Sequence, residues 1–511
     1  MNEQQHAEGH WIGSWIASQT YEDRTVAEER FEDQTLRMIV HPHAFGSKLR
    51  LRFSNLYGSE PVHFGKVAAA LSEEDGLIVP GTCRHVTLHG HTTITIPAGE
   101  EIYTDPIDLQ LHENTDVAIS IYIPASTRTS TWHFSPPSIT YVAEGNRTDD
   151  RDTGHFRNKI HSYYWLSGLE VLTYGDPFRV IVALGDSITE GSTSTPGTNR
   201  RWPEFFQERL DREHMAHPVS VLNAGIVGNQ ILTNGPDAGM PLGGECILSR
   251  LERDVFSHYG VTDVIFLAGI NDIGIGNASA NAIIAGMKET AARVHEKGLR
   301  IFAGTLPPFG NAPYYTNEKE IIRQEVNRWI LANEGFDGII DFNEGLADPQ
   351  HPEQLLPAYD FGDHLHPNDK GFKALADCIP LSLFGINPNH IYKGDVCMST
   401  MEQKNVETVT AFIEDVANQH VLEKTDQFFV PQMIEAFTDR CFTVDEILVQ
   451  GEKVIARMFM TAVHASHFAG NPPTGKTVKA TQFREFRVID GKIIEHHGWF
   501  DTATLLPQIK A

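Results

Sequence analysis

The stretch VIVALGDSITEGSTSTPGTNRRWPEFFQERL, Val180 to Leu210, decides the fold. Five apolar residues run without alternation, break at Gly185-Asp186-Ser187, and give way to a polar loop. A helical pattern follows, with Trp202, Phe205, Phe206 and Leu210 at helical spacing and Pro203 suited to a first turn. A short, uniformly apolar strand of this kind belongs to a parallel sheet covered on both faces. VSVLNAGI, VTDVIFLAGI, RIFAGTLPP and IIDFNEG repeat it, separated by helical patterns, until about Phe384.

Upstream the pattern differs. KLRLRFSNLYG (Lys48–Gly58) alternates with period two, as do TTITIPAGEEIYTDPIDLQL and TDVAISIYIPAS, with Pro and Gly between the runs. Residues 1–176 are therefore expected to form a β-rich domain, a small β-sandwich. Only VAEERFEDQTLRMIV, Val26 to Val40, offers a helical alternative there. Downstream, GINPNHIYKGDVCMSTMEQKN lacks periodicity and reads as a linker over 386–404. VETVTAFIEDVANQ then places Val406, Val409, Phe412, Ile413 and Val416 on one helical face. Alternating strands follow, two of them joined at Asp490-Gly491, a hairpin signal. The expected domains are 1–176, 177–385 and, after the linker, an α+β domain over 405–511.

Composition narrows the function classes. A net charge of −26 opposes nucleic acid and anionic membranes as partners, and no stretch has the roughly 18 apolar residues of a membrane helix. The N-terminus lacks a basic and an apolar signal region. Five scattered cysteines, never in a CxxC pair, suit a reducing compartment, so a cytoplasmic location is expected. None of the 25 histidines falls in a metal-binding spacing; His41/His43 and His496/His497 read as surface polar pairs. No metal and no cofactor are expected.

The chemistry converges on the strand ends. In a parallel α/β sheet, ligands collect at the carboxyl ends of the strands. Ser187 ends the first; Gly228, in NAGIVGN, follows the second; Asn271, in LAGIND, follows the third. Asp363 and His366, in GDHLHPND, precede the last helix. A serine hydroxyl needs a base, which His366 can be, and the base needs its other nitrogen held, which Asp363 can do. The amides of Ser187 and Gly228 and the side-chain NH₂ of Asn271 would supply an oxyanion hole. His364 is the rival base, but it adjoins Asp363 and reads as structural. Each residue alone has a bland reading as a turn or loop ion pair; arriving together at successive strand ends, they do not.

GDSITEG, the glycine of NAGIVGN, GIND and DHLHP resemble the four blocks of the SGNH (GDSL) hydrolase family. The resemblance covers about Phe178 to Phe384. It implies a flavodoxin-like three-layer α/β/α core, Ser187 as nucleophile, Asp363 and His366 completing the triad, and ester hydrolysis. Thr189 stands where a GxSxG elbow would need its second glycine, so the α/β-hydrolase motif is not present. WIGSWIASQ, TLRMIVHPHAFGSKLRLRFSNLYG and GVTDVIFLAGINDIG resemble arylesterases or acetyl esterases of xylanase-associated clusters. That branch implies small acyl esters of carbohydrate or aryl alcohols, so the expected partner is a small-molecule or oligosaccharide ester.

GNPPTGKTVKATQFREFRVIDGKIIEHHGWFDTATLLPQI is similar to SnoaL-like polyketide cyclases, with a cone-shaped α+β fold. The resemblance places His464 and Asp501 in a pocket. EHW has become Glu495-His496-His497, and the stretch between MIEAF and TVDEIL is too short for the usual middle helices. A dimerisation or ligand-binding role, with a homodimer through this domain, is therefore expected ahead of cyclase activity. The alternative is a cyclase, isomerase or binding protein whose main function lies in this tail.

Overall fold

The computed structural model describes residues 9–21, 29–174, 178–213, 218–385, 400–413, 435–489, 492–500 and 502–510. The apolar runs form the strands β1 (Arg179–Gly185), β2 (Val219–Gly225), β3 (Val261–Leu267), β4 (Arg300–Gly304) and β5 (Gly338–Ile340). They make one parallel sheet in the order β2-β1-β3-β4-β5. Val180 to Leu184 are wholly buried, so no residue of the run can be polar. The chain leaves β1 in both directions across the sheet, and this reversal opens a crevice at the carboxyl ends of β1, β2 and β3.

Helix α1 (Ser187–Glu190) follows β1 directly. Helix α2 (Trp202–Arg212) has Pro203 in its first turn and buries Trp202, Phe206 and Leu210 against β2 and a later helix. Helix α3 (Ile270–Gly274) follows β3, and α4 (Asp369–Cys378) follows the loop that carries His366. Asn368 caps α4 through the amides of Lys370 and Gly371.

The upstream region is antiparallel throughout its two larger sheets. One runs in the order His10–Ile16, Leu166–Thr173, Lys48–Ser54, Glu101–Tyr103; the other has six strands. The helical alternative for Val26–Val40 is overturned over its described residues, 29–40. Arg30–Phe31 and Gln34–Val40 are strands, the latter central in the six-stranded sheet, between Thr140–Glu144 and Asp116–Ile123. Leu36, Met38 and Val40 fill one face, while Thr35 and Arg37 are buried on the other. Leu36, Met38 and Val40 alternate with Thr35 and Arg37, as a strand requires.

The β-rich residues and the parallel sheet lie in one compact unit that ends at Leu383. The strand His10–Ile16 packs on β2, where Ser220 Oγ donates to the Gly13 carbonyl at 2.9 Å. His43 is not a surface group: its Nδ1 donates to the Val221 carbonyl at 2.5 Å, and burial pushes its pKa down to about 4. His41 pairs with Asp116 at 2.6 Å.

The second unit runs from Phe384. Its helix Thr400–Ala411 starts inside the stretch expected as linker. A four-stranded antiparallel sheet follows in sequential order: Phe437–Gln450, Lys453–His464, Thr477–Ile489 and Lys492–Phe500. Val409 of the helix, Ile413 just after it, and Leu505 and Ile509 of the terminal helix Thr502–Ile509 share its core. Val416 and the hairpin pair Asp490-Gly491 lie outside the described residues, although the strands flanking that pair do run antiparallel. His496 is half-buried and meets Arg484 Nη1 at 2.7 Å, which corrects its reading as a surface residue.

Candidate active site

Gly185 is required where β1 meets α1. A Cβ there would stand 2.5 Å from the Leu267 carbonyl oxygen of β3 and 2.2 Å from Thr189 Oγ1. Asp186 then caps α1: its backbone is extended (φ −104°, ψ −151°) and its Oδ1 accepts from the Ile188 amide at 3.0 Å. The cap places Ser187 on the first helical position, 4% exposed, at the mouth of the strand.

The last loop brings its side chains to that serine. His366 Nε2 lies 2.7 Å from Ser187 Oγ, and His366 Nδ1 lies 2.6 Å from Asp363 Oδ2. Asp363 Oδ1 also accepts from the amides of Leu365 (3.0 Å) and His366 (2.8 Å). Partial burial opposes the Asp363 charge, but the bonds from His366 and Leu365 outweigh it and draw its pKa down to about 2. An ionised Asp363 draws the imidazole proton to Nδ1, which leaves Nε2 free to accept the serine proton. His364 faces elsewhere, with its Nδ1 2.7 Å from Asp360 Oδ2.

Gly228 and Asn271 arrive from the ends of β2 and β3. Gly228 has φ +70°, a conformation that calls for glycine, and a Cβ on it would push only on the flexible end of Met240. Asn271, 3% exposed on α3, donates one Nδ2 hydrogen to the Asn229 carbonyl at 3.1 Å. Ser187, His366 and Asp363 are thus brought into contact, while Gly228 and Asn271 follow the strands on either side of β1.

Several partners were not legible. Asp272 accepts from the amides of Ile231 (2.9 Å) and Leu232 (3.1 Å), fixing the loop after Gly228. Burial pushes the Asp272 pKa up to about 6. It pushes that of Asp186 up to about 7, and Asp186 Oδ2 has no hydrogen-bond partner among the described residues. Glu190 accepts from Ser192 Oγ at 2.8 Å and from Ser135 Oγ, of the β-rich region, at 2.5 Å. Asn229 and Asp272 adjoin motif residues and so carried a signal; Ser135 and the buried Arg250 carried none.

In the second unit, His464 is fully buried, with Nδ1 3.1 Å from Thr474 Oγ1 and its ring 5.3 Å from that of Phe437. Asp501 lies outside the described residues. Among the described residues no group of three or more His, Cys, Asp or Glu side chains could hold a metal ion, and no helix is long and apolar enough to cross a membrane.

Residues 183–374 match the GDSL-like lipase/acylhydrolase family, and residues 400–509 match the SnoaL-like polyketide cyclases. The chain therefore carries a GDSL-like acylhydrolase domain and a SnoaL-like domain, and at the family level the first is that of an ester hydrolase. Among solved structures, a GDSL-like lipase of Bacteroides thetaiotaomicron VPI-5482 is 17% identical, covering 40% of this chain and 88% of its own (TM-score 0.30). A lipolytic G-D-S-L family member of Veillonella parvula DSM 2008 is 18% identical, covering 39% and 95% (TM-score 0.30). A SnoaL-like protein of Jannaschia sp. CCS1 is 20% identical, covering 23% and 98% (TM-score 0.20). No curated protein matches the chain.

Proposed function

We propose that the protein is a serine esterase that releases small acyl groups, acetyl first among them, from carbohydrate or aryl alcohols through an acyl-enzyme. The observation that carries this reading is the continuous Ser187–His366–Asp363 contact at 2.7 and 2.6 Å. His366 Nε2 takes the Ser187 proton as Oγ bonds the acyl carbon. The Ser187 and Gly228 amides and Asn271 Nδ2 receive the oxyanion. The tetrahedral adduct collapses, the carbon–oxygen bond to the alcohol breaks, and His366 returns the proton to the leaving oxygen. Water, deprotonated by His366, then attacks the acyl-enzyme, and the carboxylic acid and free Ser187 are regenerated.

The preference for small acyl groups and for carbohydrate or aryl alcohols rests on the resemblance of Trp11–Gln19, Thr35–Gly58 and Gly260–Gly274 to acetyl esterases and arylesterases. The test is a series of p-nitrophenyl esters from acetyl to octanoyl, then acetylated xylo-oligosaccharides, with the Ser187→Ala variant alongside. A fluorophosphonate should label Ser187 and abolish turnover. Ser187→Ala within tenfold of the parent would sink the assignment.

A second reading, ligand binding by the SnoaL-like domain, draws on His464, whose buried Nε2 has no hydrogen-bond partner among the described residues. Under it, fluorophosphonate labelling would leave the main activity intact and Asp501→Asn would remove it.

A further inference from the structure

Arg250 is a charged side chain with no exposed surface, lying outside every motif that names the site. It sits on the helix Ile247–Leu251, between β2 and β3 in the chain. Its Nη2 donates to the Gly185 carbonyl at 2.9 Å, the last residue of β1 and two before Ser187. Its Nη1 donates to the Ala224 carbonyl near the end of β2 at 2.9 Å, and its Nε donates to Asn229 Oδ1 at 3.1 Å. One planar group thus ties the strand end that presents Ser187 to the strand end and loop that present Gly228.

Asn229, also wholly buried, completes the clamp. Its Nδ2 donates to the carbonyls of Gly243 (2.6 Å) and Glu245 (2.7 Å), and its own carbonyl receives Asn271 Nδ2. Charge is balanced inside the cluster: Asp254 accepts from Arg250 at 2.9 Å and from Arg253 at 2.7 Å, and Arg253 pairs with Glu245 at 2.5 Å. The β-rich region closes it, since Tyr57 OH donates to Glu245 Oε2 at 2.9 Å and Ser18 Oγ lies 3.4 Å from Arg250 Nη1.

We propose that Arg250, acting through Asn229, is a positioning residue that sets the Gly228 amide and Asn271 Nδ2 at the oxyanion's place relative to Ser187 Oγ. A lysine in its place keeps a charge beside Asp254 but has no planar fork to span Gly185, Ala224 and Asn229 together. A displacement of about 1 Å at such donors costs on the order of 10²-fold in rate. The ground-state carbonyl gains little from those donors, so KM should hardly move.

The inference rests on the esterase reading, and its test separates the two. In the full-length protein, Arg250→Lys should lower kcat about 10²-fold with KM within twofold. Affinity for a boronic acid, which mimics the tetrahedral adduct on Ser187, should fall by the same factor as kcat/KM. Asn229→Ala removes the Arg250 link but leaves the main-chain carbonyl in place, so it should reproduce the split. It decides the matter if Arg250→Lys does not fold. Folded variants with kcat within threefold of the parent, or with the whole loss in KM, overturn the positioning role. If Ser187→Ala and Asn271→Ala retain turnover, the esterase reading itself has failed.

Discussion

Replacing Asp363 by asparagine tests the site through a single atom. The Asp363 Oδ1 bonds to the amides of Leu365 and His366, at 3.0 and 2.8 Å, survive in weaker form, because an amide oxygen also accepts them. The loop should keep its shape. What changes is the atom 2.6 Å from His366 Nδ1, where a carboxylate oxygen becomes an NH₂ group. Two N–H groups cannot face each other there, so the imidazole moves its proton to Nε2. Ser187 Oγ, 2.7 Å away, then meets a donor instead of an acceptor. In serine hydrolases with this arrangement the wrong tautomer costs about 10⁴ in kcat, or roughly 5.4 kcal/mol of transition-state stabilisation. The fold loses much less. Asp363 has a folded pKa of about 2 against 3.8 unperturbed, so its contribution is present above pH 3.8 and lost as pH falls through 2. Its side chain is 37% exposed, and solvent screening reduces that contribution further. The assay is steady-state hydrolysis of p-nitrophenyl acetate at pH 7 to 8, with thermal unfolding of the same samples. A folded Asp363→Asn protein with kcat within tenfold of the parent would refute the tautomer argument.

Asn271→Ala should lower kcat by about 10²–10³ with KM little changed, because an oxyanion donor acts in the transition state; a pure rise in KM would make Asn271 a substrate-binding group. Asp186 is perturbed in the opposite sense to Asp363. Its folded pKa of about 7 against 3.8 means that its contribution is complete below pH 3.8 and lost as pH rises through 7. Asp186→Asn, which keeps the acceptor for the Ile188 amide, should therefore gain stability over the parent between pH 4 and 8. The ceiling on that gain is about 4 kcal/mol, and parallel stability curves in thermal or urea unfolding would contradict it. Truncation after Leu383 should leave ester hydrolysis intact, since every site residue lies in the first unit. Light scattering should then show a change of assembly state if the second unit joins two copies; a folded, inactive truncation would place part of the active site in the tail.

The meeting of Ser187 with His366 and Asp363 was legible because parallel α/β topology makes sequence order predict position. A polar residue after each apolar run must emerge at the same edge of the sheet. The β-rich region was harder to read. At Gln34–Val40 Leu36 and Met38 alternate with Thr35 and Arg37, but Leu36 and Val40 also stand four apart, which left that strand open to a helical reading. The linker was extended too far, since the five residues from Thr400 have no apolar periodicity yet are helical. His43 read as a surface group because nothing local revealed that β2 lies against it.

The amino-acid sequence by itself determined the parallel sheet, the tail of helix and antiparallel strands, and the grouping of Ser187 with Asp363 and His366, because each depends on local periodicity or on chain order. Only the tertiary structure decided that the β-rich region shares one compact unit with the sheet. It alone showed that Ser135, Tyr57 and Ser18 reach across to the loops of the site, and that Arg250 clamps two strand ends. A hydrogen bond between residues 55 to 232 positions apart leaves no pattern in the intervening chain. Its partners become visible only when packing has excluded water from between them, and a buried donor must then find an acceptor.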